Sequence, residues 1–290
     1  MMIKKYRFAY TTIEIQLPNE MPIPDNMALF EEDGSNAASK RYELEVADDL
    51  VPVVQQFGTE YPDAKQILRP NMQLLVAADK ECRIVKLAGV PAPYAVHIEE
   101  SAELTRVWVK REIVPHLAID TIFGSLLGLE KVVLRDNAII LHSAYMCREG
   151  KAVLFSAPSE TGKSTQAGLW ERYRGTRQIN GDRSLLVREE SGWYAHGWPI
   201  CGSSEICHNE CYPIQAIVML YQAKENVIRS LGPAEAMKKV MSQITINMWN
   251  TEFQMKVMDL IQQLIAEVPV YELGCDISED AVKCLESVLL

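Results

Sequence analysis

The N-terminal part of the chain alternates apolar and polar residues in short runs, which is the pattern of β-strands. Runs rich in Val, Ile and Tyr recur between residues 3 and 115, and turn-forming stretches such as PNEMPIPDN and EEDGSNAAS separate them. The predicted strands are KKYRFAYTTIEIQL, KRYELEV, QLLVAA, CRIVKLAG, YAVHIEE and LTRVWVKREIV. The pattern predicts a smaller, β-rich N-terminal domain of the α+β class over residues 1–115.

The period of the apolar residues changes at His116. In HLAIDTIFGSLLGLEKV, residues 116–132, apolar side chains fall three or four positions apart, as on one face of a helix. We therefore place the domain boundary at this predicted helix, so that residues 116–290 form the second domain.

Strands and helices alternate after Ala138, which predicts an α/β domain. The strands AIILHSAYM and KAVLFSA come first, and the helix TGKSTQAGLWERYRG follows them and stops at Gly175. The later predicted strands are RQIN, RSLLVREE, WYAHGWP, IQAIVMLYQA and PVYEL. The later predicted helices are AEAMKKVMSQITINMW, TEFQMKVMDLIQQLIAEV and a C-terminal helix that begins near Ser278.

Composition narrows the class of protein without choosing a function. The 290 residues are 48% hydrophobic and 23% charged, as in ordinary globular proteins, and the net charge is −10. An acidic chain is not expected to bind nucleic acid or anionic membranes nonspecifically. No apolar run approaches the roughly 20 residues of a membrane helix, and no signal-peptide core is visible, so we expect a cytoplasmic protein.

The seven cysteines are expected to be reduced thiols, because their number is odd and no export signal is visible. Three of them cluster with a histidine in CGSSEICHNEC, which leaves a metal site conceivable. The spacing matches no common zinc pattern, and buried thiols beside a loop are the alternative. The residues concerned are Cys201, Cys207, His208 and Cys211.

The stretch SAPSETGKST, residues 156–165, is a candidate phosphate loop. Such loops read glycine, four free positions, then Gly-Lys-Ser or Gly-Lys-Thr, and here the opening glycine is replaced by Ala157. A predicted strand precedes the stretch and a predicted helix follows it, which supplies the context that a chance turn would lack. The predicted nucleotide-binding residues are Ser159, Glu160, Thr161, Gly162, Lys163, Ser164 and Thr165.

Phosphoryl transfer on such a loop also needs an acid at the end of a nearby strand. Asp182 in RQINGDRSLL has the position expected after one helix and a return strand, although a turn residue after Gly181 is the alternative. We predict that Lys163 offsets charge on the phosphates and that Ser164 and Asp182 hold magnesium.

The run LHSAYMCREGKAVLFSAPSETGKSTQAGLWERYRGTRQINGDRSLL resembles the catalytic domain of HPr kinase/phosphorylase, which is related to the nucleotide-binding core of phosphoenolpyruvate carboxykinase. The resemblance covers residues 116–290 and implies a P-loop domain with a mixed β-sheet, ATP and Mg²⁺ as cofactors, and a homo-oligomer. It places His142 at the family's histidine position and Asp182 at an aspartate position, although His142 lies in an apolar strand and a core histidine is the alternative. The chain also resembles the branch of this family encoded beside peptide-modification genes.

The chain departs from this family at two points. Bifunctional HPr kinases carry adjacent aspartates, whereas this chain reads Gly181-Asp182-Arg183, and the signature associated with phosphorylase activity has no clear counterpart. We therefore expect neither phosphorylase activity nor HPr as the substrate.

The expected function is an ATP-dependent kinase that phosphorylates a serine or threonine of a peptide or protein, with Lys163, Asp182 and His142 as catalytic residues. A small-molecule hydroxyl kinase and an inactive nucleotide-binding regulator remain alternatives. A second loop, HGWPICGSSEICHNE, is expected at the same end of the sheet, although a capped helix start at Ser203 or Ser204 is the alternative. The predicted substrate-binding residues are Arg183, Ser203, Ser204 and Glu205.

Overall fold

The computed structural model describes residues 1–34, 36–77, 80–87 and 89–289. It divides the chain into two compact units, Met1–Val132 and Val133–Leu290. The division lies at the end of the segment that was predicted as one helix, whereas the sequence-based boundary lies at its start.

Within its described residues, the N-terminal unit is built on an eight-stranded mixed sheet of order β1-β2-β3-β8-β7-β6-β5-β4. Strand β3 pairs in parallel with β2 and β8, and the other neighbours are antiparallel. The strands are β1 (Met2–Phe8), β2 (Thr11–Leu17), β3 (Lys40–Ala47), β4 (Lys65–Arg69), β5 (Met72–Ala77), β6 (Lys80–Lys86), β7 (Pro93–Glu99) and β8 (Leu104–Lys110).

Three features of this unit differ from the sequence-based expectation. The first predicted strand is a hairpin, because a turn at Ala9 and Tyr10 divides it into β1 and β2. Strand β4 is an edge strand with mostly exposed side chains, so it has little apolar pattern to detect. Helix α1 (Val51–Glu60) was not predicted from the sequence. Among its residues only Phe57 is fully buried, in a cluster that includes Ile84 and Val96, so the helix has a weak apolar pattern.

The helix predicted over residues 116–132 is broken into shorter pieces. The structure has a 3₁₀ helix at Arg111–His116, then α2 (Asp120–Ser125) and α3 (Leu129–Arg135). Gly128 separates α2 from α3 with a φ of +58°, in the left-handed region that favours glycine. Its Cα also approaches Arg83 so closely that a Cβ would lie 2.8 Å from the guanidinium.

The C-terminal unit is a mixed α/β structure whose strands are joined in one continuous set of pairings. The strands are β9 (Ala138–Arg148), β10 (Lys151–Ser156), β11 (Arg177–Asn180), β12 (Arg183–Glu189), β13 (Gly192–His196), β14 (Cys211–Gln222), β15 (Val227–Ser230) and β16 (Val270–Cys275). The helices are α4 (Lys163–Arg174), α5 (Pro233–Met241), α6 (Thr251–Glu267) and α7 (Glu279–Glu286).

The main strand order is β10-β9-β12-β13-β14-β16-β15. Strand β10 also pairs with β14, so the strands from β10 to β14 in this order form a closed ring of five. Strand β14 is parallel to β10 and β16, and the remaining pairs are antiparallel. Successive residues of β10 face opposite sides. Leu154 packs in the cluster that contains α5 and α6, and Phe155 in the one that contains α4 and α7.

The helix predicted over AEAMKKVMSQITINMW ends at Met241. The following residues run along β9 instead: the Ile244 backbone bridges to Leu141, and the His142 N–H donates to the Gln243 carbonyl at 2.9 Å. The sequence QITI carries three consecutive β-branched residues, which favours extended backbone over helix. No helix of the described residues has the length and apolar character needed to span a bilayer.

Candidate active site

The candidate phosphate loop lies where β10 ends at Ser156 and α4 begins at Lys163. Gly162 precedes the helix with φ +113° and ψ 22°, a conformation that L-residues rarely adopt. A Cβ added at Gly162 would meet nothing within 4 Å, so the backbone conformation, and not a lack of space, requires glycine here.

Ala157 and Glu160 both stand where a phosphate loop usually carries glycine, and the structural explanations for the two residues differ. Ala157 is 1% exposed and belongs to the same apolar cluster as Trp170, so its methyl group contributes to the core. Glu160 is exposed and has a φ of +65°, in the left-handed region that costs a non-glycine residue about 1–2 kcal/mol. The loop therefore keeps a glycine-like backbone at Glu160 without a glycine.

The start of α4 presents backbone donors without protein partners. In the part of the chain that the structure describes, the first helical hydrogen bond runs from the Gln166 N–H to the Gly162 carbonyl at 2.9 Å. The N–H groups from Gly162 to Thr165 precede it and have no acceptor among the described residues. Because the helix dipole is positive at this end, the group of donors is suited to an anion.

Lys163 adds a positive charge to the same turn. Its side chain folds back onto the loop, where the ammonium donates to the carbonyls of Ala157 at 3.1 Å and Pro158 at 3.4 Å, and the residue is only 7% exposed. Burial lowers the pKa of the Lys163 ammonium, and the nearby Asp182 carboxylate opposes that shift.

Ser164 links the start of α4 to the turn that carries Asp182. Its hydroxyl donates to the Gly181 carbonyl at 3.1 Å, directly before Asp182 in the chain. The structure therefore places the predicted serine, lysine and aspartate together, since Lys163 and Asp182 also interact electrostatically. Ser159, Glu160 and Thr165 are exposed, and Thr161 is partly buried in the same turn.

Asp182 lies between a histidine and an arginine. Its Oδ1 is 3.1 Å from His142 Nε2, and its Oδ2 is 3.2 Å from Arg183 Nε. Partial burial tends to raise the pKa of Asp182, but the contacts with His142 and Arg183 outweigh it and hold this pKa below its usual range. His142 and Arg183 are direct partners in the antiparallel β9–β12 ladder, so regular sheet geometry brings the three side chains together.

Asn180 positions this turn and was not identified from the sequence. It is fully buried, and its side-chain oxygen accepts from the N–H groups of Asp182 at 2.9 Å and Arg183 at 2.8 Å. Its amide nitrogen donates to the Trp198 carbonyl at 2.7 Å and the Ile200 carbonyl at 3.2 Å. The run Asn-Gly-Asp is a typical signal for a turn closed by an asparagine side chain, and could have revealed this role.

The second predicted loop packs against the same turn. Gly202–Ser204 form a short 3₁₀ helix, and a Cβ at Gly202 would lie 3.4 Å from Asp182 Cγ. The Ser204 hydroxyl donates to the Cys201 carbonyl at 2.6 Å, so it is held within its own turn, whereas Ser203 and Glu205 are exposed. Neither serine caps this helix, since its N-cap position is Cys201.

Arg183 extends the site towards the segment that leaves α5. Its Nη1 donates to the Thr245 hydroxyl at 3.0 Å. The sequence did not indicate Thr245, because that residue lies in the stretch predicted as helix. The pairing of residues 243–245 with β9 is what brings it to Arg183.

The four residues considered for a metal site do not form one cluster. The Cys207 thiol donates to the Trp198 carbonyl at 3.3 Å, and His208 Nδ1 lies 3.3 Å from Arg177. Cys211 instead lies beside His196, in the one group of three potential metal-ligating side chains found among the described residues, whose third member is Glu189.

The fold and this site define a mixed α/β protein with an anion-suited strand-to-helix turn beside a partly buried Asp-His-Arg cluster. The family model described as SynChlorMet cassette protein ScmC matches residues 115–290, and the chain belongs to that family.

Comparison with solved structures gives a much weaker likeness. The structure of the Hpr(Ser) kinase/phosphatase from Coxiella burnetii matches with 11% sequence identity and a TM-score of 0.31, over 52% of this chain and 87% of that chain. A TM-score this low carries no argument about fold or activity. No curated protein matches the chain.

Proposed function

We propose that this protein is a Mg²⁺-dependent kinase that transfers the γ-phosphate of ATP to a serine or threonine hydroxyl of a peptide or protein. The observation that carries the proposal is the meeting of Lys163, Ser164 and Asp182 at one strand-to-helix turn. Ser164 touches the carbonyl that precedes Asp182, and Asp182 in turn touches His142.

The donors of the turn fit a triphosphate. Within the part of the chain that the structure describes, the N–H groups from Gly162 to Thr165 lack acceptors and the space next to Gly162 is open, so phosphate oxygens can approach the backbone. The ammonium of Lys163 is held by two loop carbonyls, and we propose that it exchanges them for the β and γ oxygens.

The oxygen ligands of the turn fit magnesium. The Ser164 hydroxyl and the ionised Asp182 carboxylate are hard oxygen donors of the kind that Mg²⁺ prefers. Bound there, the ion would neutralise charge that develops on the phosphates. The low pKa of Asp182 keeps that carboxylate ionised at neutral pH.

The Asp182–His142 pair supplies a path for the proton of the acceptor hydroxyl. The bond between the γ-phosphorus and the bridging oxygen breaks, a bond to the acceptor oxygen forms, and the hydroxyl proton moves to this pair. Arg183 is held by Asp182 and Thr245, and we assign it to contact phosphate or acceptor. The exposed Ser203 and Glu205, on the turn that packs on Asp182, are assigned to acceptor binding.

The first experiment is thermal unfolding with and without Mg-ATP. Binding to the native state raises the melting temperature by mass action, so we expect a rise that the Lys163→Ala variant loses. Lys151→Ala is the matched control, because Lys151 is exposed at the opposite end of β10 and should leave the rise unchanged. Absence of a rise in the unmodified protein would contradict the proposal at its first step.

Turnover is then measured as transfer of labelled γ-phosphate to a library of Ser/Thr peptides and to free hydroxy amino acids. Labelled peptide is the expected product. Labelled hydroxy amino acid alone would instead identify a small-molecule kinase. Mg-ATP binding with no transfer to either class would indicate a nucleotide-binding regulator.

A further inference from the structure

Three side chains that can bind a metal converge outside the candidate active site. They come from three neighbouring strands: Glu189 ends β12, His196 ends β13 and Cys211 begins β14. A carboxylate oxygen, an imidazole nitrogen and the thiol sulfur all lie within 4.8 Å of one another. None of the three belongs to the set proposed to bind ATP or Mg²⁺.

One nitrogen lies at the centre of this group. His196 Nε2 is 3.1 Å from Glu189 Oε1 and 3.3 Å from Cys211 Sγ. Donation to the carboxylate needs a proton on Nε2, whereas acceptance from the thiol needs its lone pair, so a neutral imidazole cannot make both hydrogen bonds at once. A cation among the three atoms would interact favourably with all of them.

The scaffold around the group is regular sheet. His196 and Cys211 are direct partners in the antiparallel β13–β14 ladder, and β12 pairs with β13 along its length. Ligands held on paired strands need little further ordering to bind an ion. Glu189 and His196 are partly buried, whereas Cys211 is exposed, so an ion can enter from solvent.

We propose that Glu189, His196 and Cys211 bind one divalent transition-metal ion of the Zn²⁺ type, with water as the fourth ligand. A set of one nitrogen, one sulfur and one oxygen suits an ion of borderline softness and disfavours Mg²⁺, which prefers oxygen ligands. The ion would link β12, β13 and β14 through one ligand from each strand. Because β12 begins directly after Asp182, this link would stabilise the strand that carries the candidate active site.

The test uses the full chain, reduced and stripped of metal with a chelator, and titrated with Co²⁺ without oxygen. Cobalt reports a thiolate ligand through a sulfur-to-metal charge-transfer absorption in the near ultraviolet. We expect this absorption to saturate at one ion per chain, to disappear when Zn²⁺ is added, and to persist when Mg²⁺ is added. No charge-transfer absorption in the unmodified protein would overturn the proposal.

Variants identify the ligands. Cys211→Ser should abolish the charge-transfer absorption, and Cys284→Ser is the matched control, since Cys284 is a partly buried thiol on α7 and should leave it intact. Absorption that survives in a folded Cys211→Ser variant would overturn the proposal.

Glu189→Gln provides a second measurement that does not depend on the folding of the cysteine variant. It should weaken Co²⁺ binding more than about tenfold, the lower end of what loss of even an outer-shell partner costs. Unchanged Co²⁺ affinity in Glu189→Gln would contradict the assignment of that carboxylate.

Discussion

Two clusters of charged residues, one in each unit, differ in how completely the protein pairs them. In the N-terminal unit, Arg83 is 4% exposed and bonds Glu81 at 2.5 Å and Glu130 at 2.8 Å, and the buried His97 bonds the Leu126 carbonyl at 2.8 Å. The charged groups of that network are paired with opposite charges inside the protein. We therefore interpret the network as structural.

In the C-terminal unit, the corresponding charges are only partly enclosed. The His142 and Asp182 side chains are 20% and 26% exposed, and Lys163 is held by two backbone carbonyls, with no carboxylate of the described residues in contact with it. Electrostatic groups that remain partly accessible, beside free helix N–H donors, can exchange their protein partners for a ligand. The comparison predicts that changes in the first network reduce stability, and that changes in the second reduce function.

The largest expected effect on stability is that of Arg83→Met. The substitution leaves Glu81 and Glu130 buried close together without their common cation, and removing one partner of a buried ion pair costs about 3–5 kcal/mol. Urea unfolding followed by circular dichroism should show this loss. The exposed Arg106→Met in the same sheet is the control, and a loss no larger than that of the control would remove the contrast between the two clusters.

Asp182→Asn should have the opposite effect to Arg83→Met: a large loss of activity with little loss of stability. We expect the rate of phosphate transfer to fall by about 100- to 1000-fold, which is about 3–4 kcal/mol on the barrier, because the charge that would hold the cation is removed. The free energy of unfolding should change by less than about 1.5 kcal/mol, since Asp182 makes only partly exposed contacts. Single-turnover kinetics and urea unfolding of the same preparation measure both quantities. Asp259→Asn, an exposed carboxylate on α6, serves as the control.

The N-terminal cluster should also make stability depend on pH, through the buried His97. Burial, and then the charge of Arg83, lower the pKa of His97 from 6.5 to about 4, so the folded protein binds this proton less well than the unfolded chain. Stability should therefore be undiminished above about pH 6.5 and should fall by up to about 3 kcal/mol as the pH drops towards 4. Urea titrations at several pH values should show a smaller fall in His97→Gln than in the unmodified protein. An equal fall in both would exclude His97 as a cause of acid sensitivity.

The candidate site could be predicted from sequence because its parts are local signals. Gly162-Lys163-Ser164 lies between a buried strand and a helix, and the return to Asp182 takes one helix and one short strand, so chain order alone predicts their proximity. The strands around them have clear apolar patterns. These are the conditions under which periodicity and turn chemistry are most informative.

The features that sequence reasoning missed depend on tertiary contacts. Thr245 lies beside Arg183 because residues 243–245 leave the helical pattern and pair with β9, and the break at Gly128 reflects the close approach of Arg83. The Glu189–His196–Cys211 group is set by the register of three strands, which no single stretch of sequence specifies. Strand β4, at an exposed edge, has no core contacts strong enough to impose a pattern.

The smallest predicted effect concerns Glu160→Gly. Glycine removes the cost of a φ of +65°, about 1–2 kcal/mol, but adds about 0.5–1 kcal/mol of chain entropy to the unfolded state, so a net gain of up to about 1.5 kcal/mol is expected. It also removes a carboxylate from the proposed triphosphate site, which should tighten Mg-ATP binding a few-fold by calorimetry.

Glu149→Gly is the matched control for that variant. Glu149 has a similar φ of +52°, and it lies in the turn between β9 and β10, at the opposite end of β10 from the candidate phosphate loop. It should show the same small gain in stability with no change in Mg-ATP affinity. If both variants tightened Mg-ATP binding equally, the effect would come from general stabilisation or net charge, and Glu160 would lose its proposed position beside the phosphates.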